Sequence, residues 1–430
     1  MNGITKLKFL FVSHIGLIGD MAWQIKKEGH DVKYFIKDKP MKDVCDGFVD
    51  KTDDWQKQVD WADVIIFDDT EFGEQGDKLR KQGKKVIGGS TYGDNLELDR
   101  EYGQEEMKAV GMTTLPHWEF TDFDEAIKFL EKNPGRYVLK PVGEADNEKH
   151  LLYVGQEEDG KDVQDILRHY KKNWSKLIKR FQLQKHVLGV EVAVGGFFNG
   201  IDFITPININ FEHKRMFNGD IGPSTGEMGT SMFWSAPNKI FSETLGRMKE
   251  KLAAAGYIGY IDINTIVTSK GIYPLEFTSR FGYPTISIQM EGITSKMGFF
   301  MHALANNQPF ELKTKKGFQV GIVIACPPFP FEDPAAFKRY SEDATILFKK
   351  PDLDGVHLGD VKLVDGDWHL AGNLGYGLVV TGSGITMEEA RTKAYNCVKN
   401  IMIPNMFYRT DIGQKWRHEG DMLRTWGYLS

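Results

Sequence analysis

Between Gly259 and Arg280 four oxygen-bearing side chains, Asp262, Asn264, Glu276 and Thr278, fall on one face of an expected hairpin. A turn centred on Lys270 places Asn264 opposite Glu276 and Asp262 opposite Thr278, and alternate side chains of a strand share a face. Opposed Cβ atoms in such a pair lie roughly 4.5–5.5 Å apart. At that spacing two oxygen ligands can share Mg²⁺, which takes one or two carboxylates plus phosphate oxygens and water. Arg280 follows two residues on, and its planar fork suits a carboxylate or a phosphate. The same spacing also describes an ordinary hairpin with a solvated polar face. A one-residue slip of register would re-pair all four.

Three further stretches carry charge in patterns that suit phosphate chemistry. His213-Lys214-Arg215 and Asp220 lead into Gly222-Pro223-Ser224-Thr225-Gly226-Glu227-Met228-Gly229. Cations followed by free backbone N–H groups can cradle an anion. No Gly-Lys-Ser/Thr closes the run, so it is not a P-loop, and a glycine-rich run is as readily a plain turn. Lys140 ends an apolar strand, and Lys149 lies one loop later, across Gly143 to Glu148. Two lysines there could neutralise a triphosphate under a lid-like loop, or simply be surface lysines. Gln184-Lys185-His186-Val187-Leu188-Gly189-Val190-Glu191 joins a strand end to a carboxylate that could take a ribose hydroxyl pair. No HExxH or GxSxG stretch is present, and Gly382-Ser383-Gly384 lacks the third glycine of a dinucleotide fingerprint.

The elements that must position these residues alternate at first. Lys8 to Val12, Val32 to Ile36, Val64 to Phe67 and Lys85 to Ile87 read as buried strands, separated by helical stretches such as Asp20 to Lys27. That alternation predicts a parallel sheet covered by helices. From about Val190 onward the pattern changes to alternating strands with hairpin turns at Asn199-Gly200, Ser269 to Gly271 and Asp365-Gly366, which predict antiparallel sheet. Thr386 with Glu389 forms a capping-box signature for a helix running to about Ile401. The 430 residues predict about three domains. Cys45, Cys326 and Cys397 are far apart, which argues against a disulfide framework or zinc site. A net charge of −6 argues against general nucleic-acid coating, and the apolar runs are too short for a signal peptide or a membrane span. These features predict a cytoplasmic protein acting on small molecules.

Taken in order, the motifs resemble the ATP-grasp ligases and, within them, the phosphoribosylamine–glycine ligases (glycinamide ribonucleotide synthetases). The residues that carry the likeness are Glu212 to Gly229, Leu275-Glu276-Phe277-Thr278-Ser279-Arg280-Phe281-Gly282-Tyr283-Pro284, and a closing segment of Val380-Thr381, Thr386 to Tyr395 and Tyr408 to Gly413. The resemblance implies a Rossmann-like N-terminal parallel sheet over about 1–110, a two-part ATP-grasp domain over about 111–315 with a lid near 136–188, and a C-terminal mixed α+β cap over 316–430. It also implies ATP with Mg²⁺ or Mn²⁺, an acyl-phosphate intermediate, an amino acid plus an amine as substrates, a place in purine biosynthesis, and a monomer or homodimer. Within it, Lys140, Lys149 and Lys214 would contact phosphates. Gln184, Lys185 and Val187 would line the adenine slot and Glu191 the ribose. Glu276, with Asn264 and Thr278, would hold the metal; Arg280 and Asp220 would orient the amino acid; and His213, Arg215, Gly222, Pro223, Ser224 and Thr225 would shape the substrate loop.

The departures from that family fall together. Its glycine-rich Arg-Glu-His segment, which helps hold the phosphoribosyl group, corresponds here to Ser13-His14-Ile15-Gly16-Leu17-Ile18-Gly19-Asp20, with no arginine. Asp68-Asp69-Thr70 replaces its Gly-Pro-Glu, and Tyr376 stands in place of an arginine. Thr278 stands where the metal-site asparagine belongs, and Glu227 replaces a glycine. Three readings follow: the parent ligase, a ligase using another amine such as a modified nucleotide or a peptide, or an ATP-binding protein without turnover.

Overall fold

The computed structural model describes residues 6–143, 145 and 151–429. The N-terminal strands Asp31–Ile36, Lys8–Ser13, Val64–Phe67 and Val86–Ile87 form, in that order, a four-stranded sheet that is parallel throughout. The continuous apolar runs of Lys8–Ser13 and Val64–Phe67 suit burial on both faces, with Phe9, Leu10, Phe11 and Val12 all in the core, while the edge strand Asp31–Ile36 alternates. The helix Gly19–Lys27 ends as expected at Gly29, whose φ of +99° a residue with a Cβ would resist.

A second, antiparallel sheet contains His117–Phe120, Arg180–Lys185, Tyr137–Val142 and Tyr153–Val154. One face carries Leu139, Phe181 and Leu183 into a core shared with the helices Phe123–Lys132 and Lys161–Asn173. The other face presents Lys140, Gln182 and Gln184, and the helix Arg100–Ala109 lies against it through a Gln182–Gln104 hydrogen bond of 3.3 Å.

The largest sheet has eight strands, in the order Gly271–Thr278, Ile258–Thr268, Val190–Asn199, Phe203–Glu212, Gly229–Ser235, Phe318–Ala325, Tyr376–Gly384 and Val356–Leu358. Gly229–Ser235 pairs directly with Phe318–Ala325, so one antiparallel sheet runs through the central and C-terminal segments without a break. A four-stranded sheet of Val361–Val364, Asp367–Leu370, Thr345–Phe348 and Ile401–Met402 flanks it. The capping-box helix is Met387–Val398 with both reciprocal bonds made. It stops at Val398, short of the expected end, because Ile401 is taken into strand pairing with Phe348. The last helix, Trp416–Thr425, packs Trp416 against Phe211, Phe233 and Phe318. Among the described residues no helix is long and apolar enough to cross a membrane.

Candidate active site

The hairpin Ile258–Thr268/Gly271–Thr278 pairs Asn264 with Glu276 and Asp262 with Thr278, as expected, but reaches that register by a different route. The turn is Ser269–Lys270, which pairs Thr268 with Gly271. Simple alternation from there would set Leu275 opposite Asn264. An irregularity between Asn264 and Thr265 inserts one residue and brings Glu276 into place. The hydrophobic pattern shows why: Ile272 and Pro274 are buried before the bulge and Phe277 after it, so the apolar face changes parity at that point.

The polar face continues inward across the sheet. Asp262 aligns with Gly195 and then Asn208, and Asn264 with Ala193 and then Asn210. A Cβ at Gly195 would lie 2.1 Å from the Tyr260 hydroxyl, so glycine is what admits Tyr260 and Asp262 to this row. Asn208 donates to the Tyr260 hydroxyl and to Asn210 Oδ1, both at 3.0 Å. Asn264 donates to Glu212 Oε2 at 3.1 Å, while its own Oδ1 and Asp262 Oδ1 are buried without a partner among the described residues.

At the open end of this face, Lys214 Nζ lies 3.1 Å from Glu191, 3.4 Å from Glu212 and 3.5 Å from Glu276. Burial alone would lower the lysine pKa, but the three carboxylates outweigh it and hold the ammonium charged. Lys214 in turn brings Glu276 down to about 2 against the effect of burial, helped by Arg100 and Lys140. Cations from the strand Tyr137–Val142, from the connector after Phe203–Glu212 and from the Arg100–Ala109 helix therefore converge on one metal-ligand candidate. Burial, followed by Glu212, pushes Asp262 up to about 8, and Thr278 hydrogen-bonds that carboxyl. Arg280 Nε lies 3.1 Å from Glu97 and 3.5 Å from Asp69, and these carboxylates raise its pKa despite burial. Glu227 is 6% exposed, its pKa well raised by burial and by Glu212, and its Oε1 has no partner among the described residues.

The structure separates the remaining candidates. His213 is 1% exposed and neutral, brought down to about 4 by burial and then by Lys415 and Arg409. The loop after it folds into a small hairpin of Arg215–Phe217 and Ile221–Ser224. Arg215 donates to Gly222 O at 3.0 Å, and Thr225 caps Lys214 O through both its amide and its hydroxyl. Gly222 has φ +85°, and a Cβ there would collide with the Phe217 ring. Pro223 and Ser224 lie on the second strand of this hairpin. Asp220 was expected to receive a substrate ammonium. Instead its Oδ1 accepts from Arg409 at 2.9 Å and its Oδ2 pairs with Lys415, so it anchors the loop to the C-terminal segment. Gln184 shares the face of Lys140, but Lys185 lies on the opposite face with its ammonium 4.6 Å over the Tyr137 ring. Any contact of Lys185 with an adenine would therefore come from its backbone. Val187 is half-buried in the connector that follows. Lys149 and most of its loop lie outside the described residues.

Glu212, Arg100 and Glu97 were not among the expected site residues. Glu212 was detectable, since Asn208, Asn210 and Glu212 alternate with apolar residues along one strand. Arg100 and Glu97 have no comparable local signal, because only the packing of two N-terminal helices brings them to the cluster.

The donor set suits a magnesium ion shared with phosphates. Glu276 and Glu212 supply carboxylate oxygens, Asn264 Oδ1 is a buried acceptor without a donor among the described residues, and the Lys214 ammonium already occupies a position built for positive charge. Among the described residues no group of three or more His, Cys, Asp or Glu forms a metal cage by itself.

Residues 98–286 match the family model for the phosphoribosylglycinamide synthetase ATP-grasp (A) domain. The chain is 26% identical over 374 residues to a phosphoribosylamine–glycine ligase of Listeria innocua, covering 84% of this chain and 86% of the relative. It is 28% identical over 351 residues to one from Streptococcus pneumoniae, covering 79% and 80%. In fold it is similar to the crystal structure of phosphoribosylamine–glycine ligase from Thermotoga maritima, with a TM-score of 0.70 at 21% identity, covering 94% of this chain and all of that one. A biotin carboxylase complex from Campylobacter jejuni follows with a TM-score of 0.63 at 15% identity, covering 99% of this chain and 98% of the other. The chain has an ATP-grasp fold and resembles phosphoribosylamine–glycine ligases over most of its length.

Proposed function

We propose that the protein is an ATP-dependent, ADP-forming carboxylate–amine ligase of the phosphoribosylamine–glycine ligase type. The observation that carries this reading is the convergence of Lys214, Lys140 and Arg100, from three separate elements, on Glu276. Phosphoryl transfer depends on positioning and charge neutralisation more than on covalent help, and this cluster supplies both. The γ-phosphoryl group of ATP passes to a carboxylate oxygen of the amino acid, giving an acyl phosphate and ADP. The amine nitrogen then attacks the acyl carbon. The C–N bond forms, the C–O bond to phosphate breaks, and the departing phosphate takes the electron pair and the amine proton.

Lys140 and Lys214 neutralise the transferring phosphoryl oxygens, and Gln184, with the backbone of Lys185 and Val187, lines the adenine slot. Glu191, half-exposed at the rim, takes the ribose hydroxyls. Glu276, Glu212 and Asn264 would hold Mg²⁺, which would supply charge stabilisation to the phosphates. Thr278 fixes Asp262 beside it. Arg280, set between Glu97 and Asp69, orients the amino-acid carboxylate.

The test is Glu276→Gln. ADP release with ATP, an amino acid and an amine is expected to fall at least a hundredfold, with the thermal midpoint held within a few degrees. Full turnover in a folded variant would refute the metal and phosphate assignment.

A further inference from the structure

We propose, building on the ligase reading above, that the Lys214 ammonium is a built-in occupant of the metal and ribose positions, displaced onto phosphate when metal and nucleotide bind together. A divalent ion alone, or a nucleoside alone, meets carboxylates that are already engaged.

Lys214 Nζ lies 3.1 Å from Glu191 Oε1, 3.4 Å from Glu212 Oε2 and 3.5 Å from Glu276 Oε1. The first carboxylate is the ribose candidate and the other two are the metal candidates, so one side chain engages both subsites. These distances suit an ammonium, whereas Mg²⁺ draws its ligands in to about 2.0–2.1 Å. In keeping with that, no group of three acidic side chains among the described residues is gathered for a metal. Asn264, 4% exposed, adds an oxygen that no donor among the described residues takes.

The main chain around this lysine is pinned. The Lys214 carbonyl accepts from the Thr225 amide at 2.8 Å and from its hydroxyl at 3.0 Å, and the His213 amide donates to Gly229 O at 3.0 Å. The side chain itself keeps 31% of its area exposed, so its flexible stem can swing while the loop stays still. An ammonium and a divalent ion repel each other, and sharing the same carboxylates sets them in competition. A bare ion must draw Lys214 off Glu212 and Glu276, and a bare nucleoside must draw it off Glu191. Either change leaves the ammonium with fewer counter-charges. Phosphate oxygens that arrive with both supply the missing partner. Metal and nucleotide thus share one displacement, and each strengthens binding of the other by the same factor.

The experiment titrates the full chain with Mn²⁺ in the absence of nucleotide, following free Mn²⁺ by its paramagnetic resonance signal. Lys214→Met is expected to tighten Mn²⁺ binding about tenfold, and adding Glu276→Gln to that variant to remove the gain. Unchanged or weaker Mn²⁺ binding in folded Lys214→Met would overturn the proposal; should that variant not fold, Lys214→Gln is read in the same way. Acyl phosphate is trapped separately in the wild type as its hydroxamate. Hydroxamate formation with no tightening in the variant removes the displacement and leaves the ligase reading standing. Tightening in the variant, with no ADP or hydroxamate from any amino acid in the wild type, removes the ligase reading and leaves the displaceable lysine.

Discussion

Lys214, partly buried, and Asp68, 1% exposed, show how differently two titratable groups taken out of water are resolved. Lys214 keeps its proton because three carboxylates meet it within 3.5 Å. Asp68 has no cation partner among the described residues, and burial, with Asp69 adding to it, pushes its pKa up to about 7 although Ser13 and Tyr34 pull it down. The native state therefore holds a proton that the unfolded chain loses near pH ~4. Stability from this group is complete below that point and is lost as pH rises through about 7. Thermal midpoints are expected to fall between about pH 5 and 8. Asp68→Asn keeps an acceptor for Tyr34 and should flatten that fall by on the order of 2 kcal/mol. Parallel melting curves for the two proteins would show that Asp68 does not titrate in this range.

At the scale of elements, the loop from His213 to Gly229 depends on a residue far away in sequence. Arg409 is 1% exposed and bonds Asp220 at 2.9 Å, Asp411 at 2.7 Å and the carbonyl of Arg215 at 2.8 Å. Asp411 also accepts from the amide of Gly219 at 2.9 Å. Removing one partner of a buried ion pair leaves uncompensated charge and costs about 3–5 kcal/mol. Arg409→Met is expected to lower stability by about that amount and to speed amide hydrogen exchange across residues 214–225 before the rest of the sheet opens. Uniform exchange across the sheet would mean that the loop is held by something else. The bulge at Leu275 belongs to the same scale. It sets both the apolar parity of its strand and the pairing of Glu276 with Asn264.

For the whole molecule, the unbroken eight-stranded sheet ties the central segment to the C-terminal one. A fragment ending at residue 315 would lose Phe318–Ala325 and leave Gly229–Ser235 as an unpaired edge, exposing buried Met232 and Thr230. That fragment is expected to be insoluble alone and to be rescued by co-expression with residues 316–430. A soluble, cooperatively melting 1–315 fragment would show that the central segment folds without its neighbour.

Much of the local structure was readable from the chain. The parallel strands from Lys8 to Ile87 and the capping box at Thr386 and Glu389 follow from apolar runs and cap chemistry, which act over a few residues, whereas Asn264 meets Glu276 only through a bulge that alternation alone does not give. The polar row Asn208, Asn210, Glu212 was visible in the same way. The engagement of Asp220 by Arg409, the approach of Arg100 and Lys140 to Glu276, and the pinning of Arg280 by Asp69 and Glu97 were not. Each joins residues that lie far apart along the chain, and no local periodicity encodes such a meeting. The sequence by itself determined which chemical groups were available and which face of each element carries them. Only the tertiary structure decided which charges meet, because pairing and pKa depend on distance and burial.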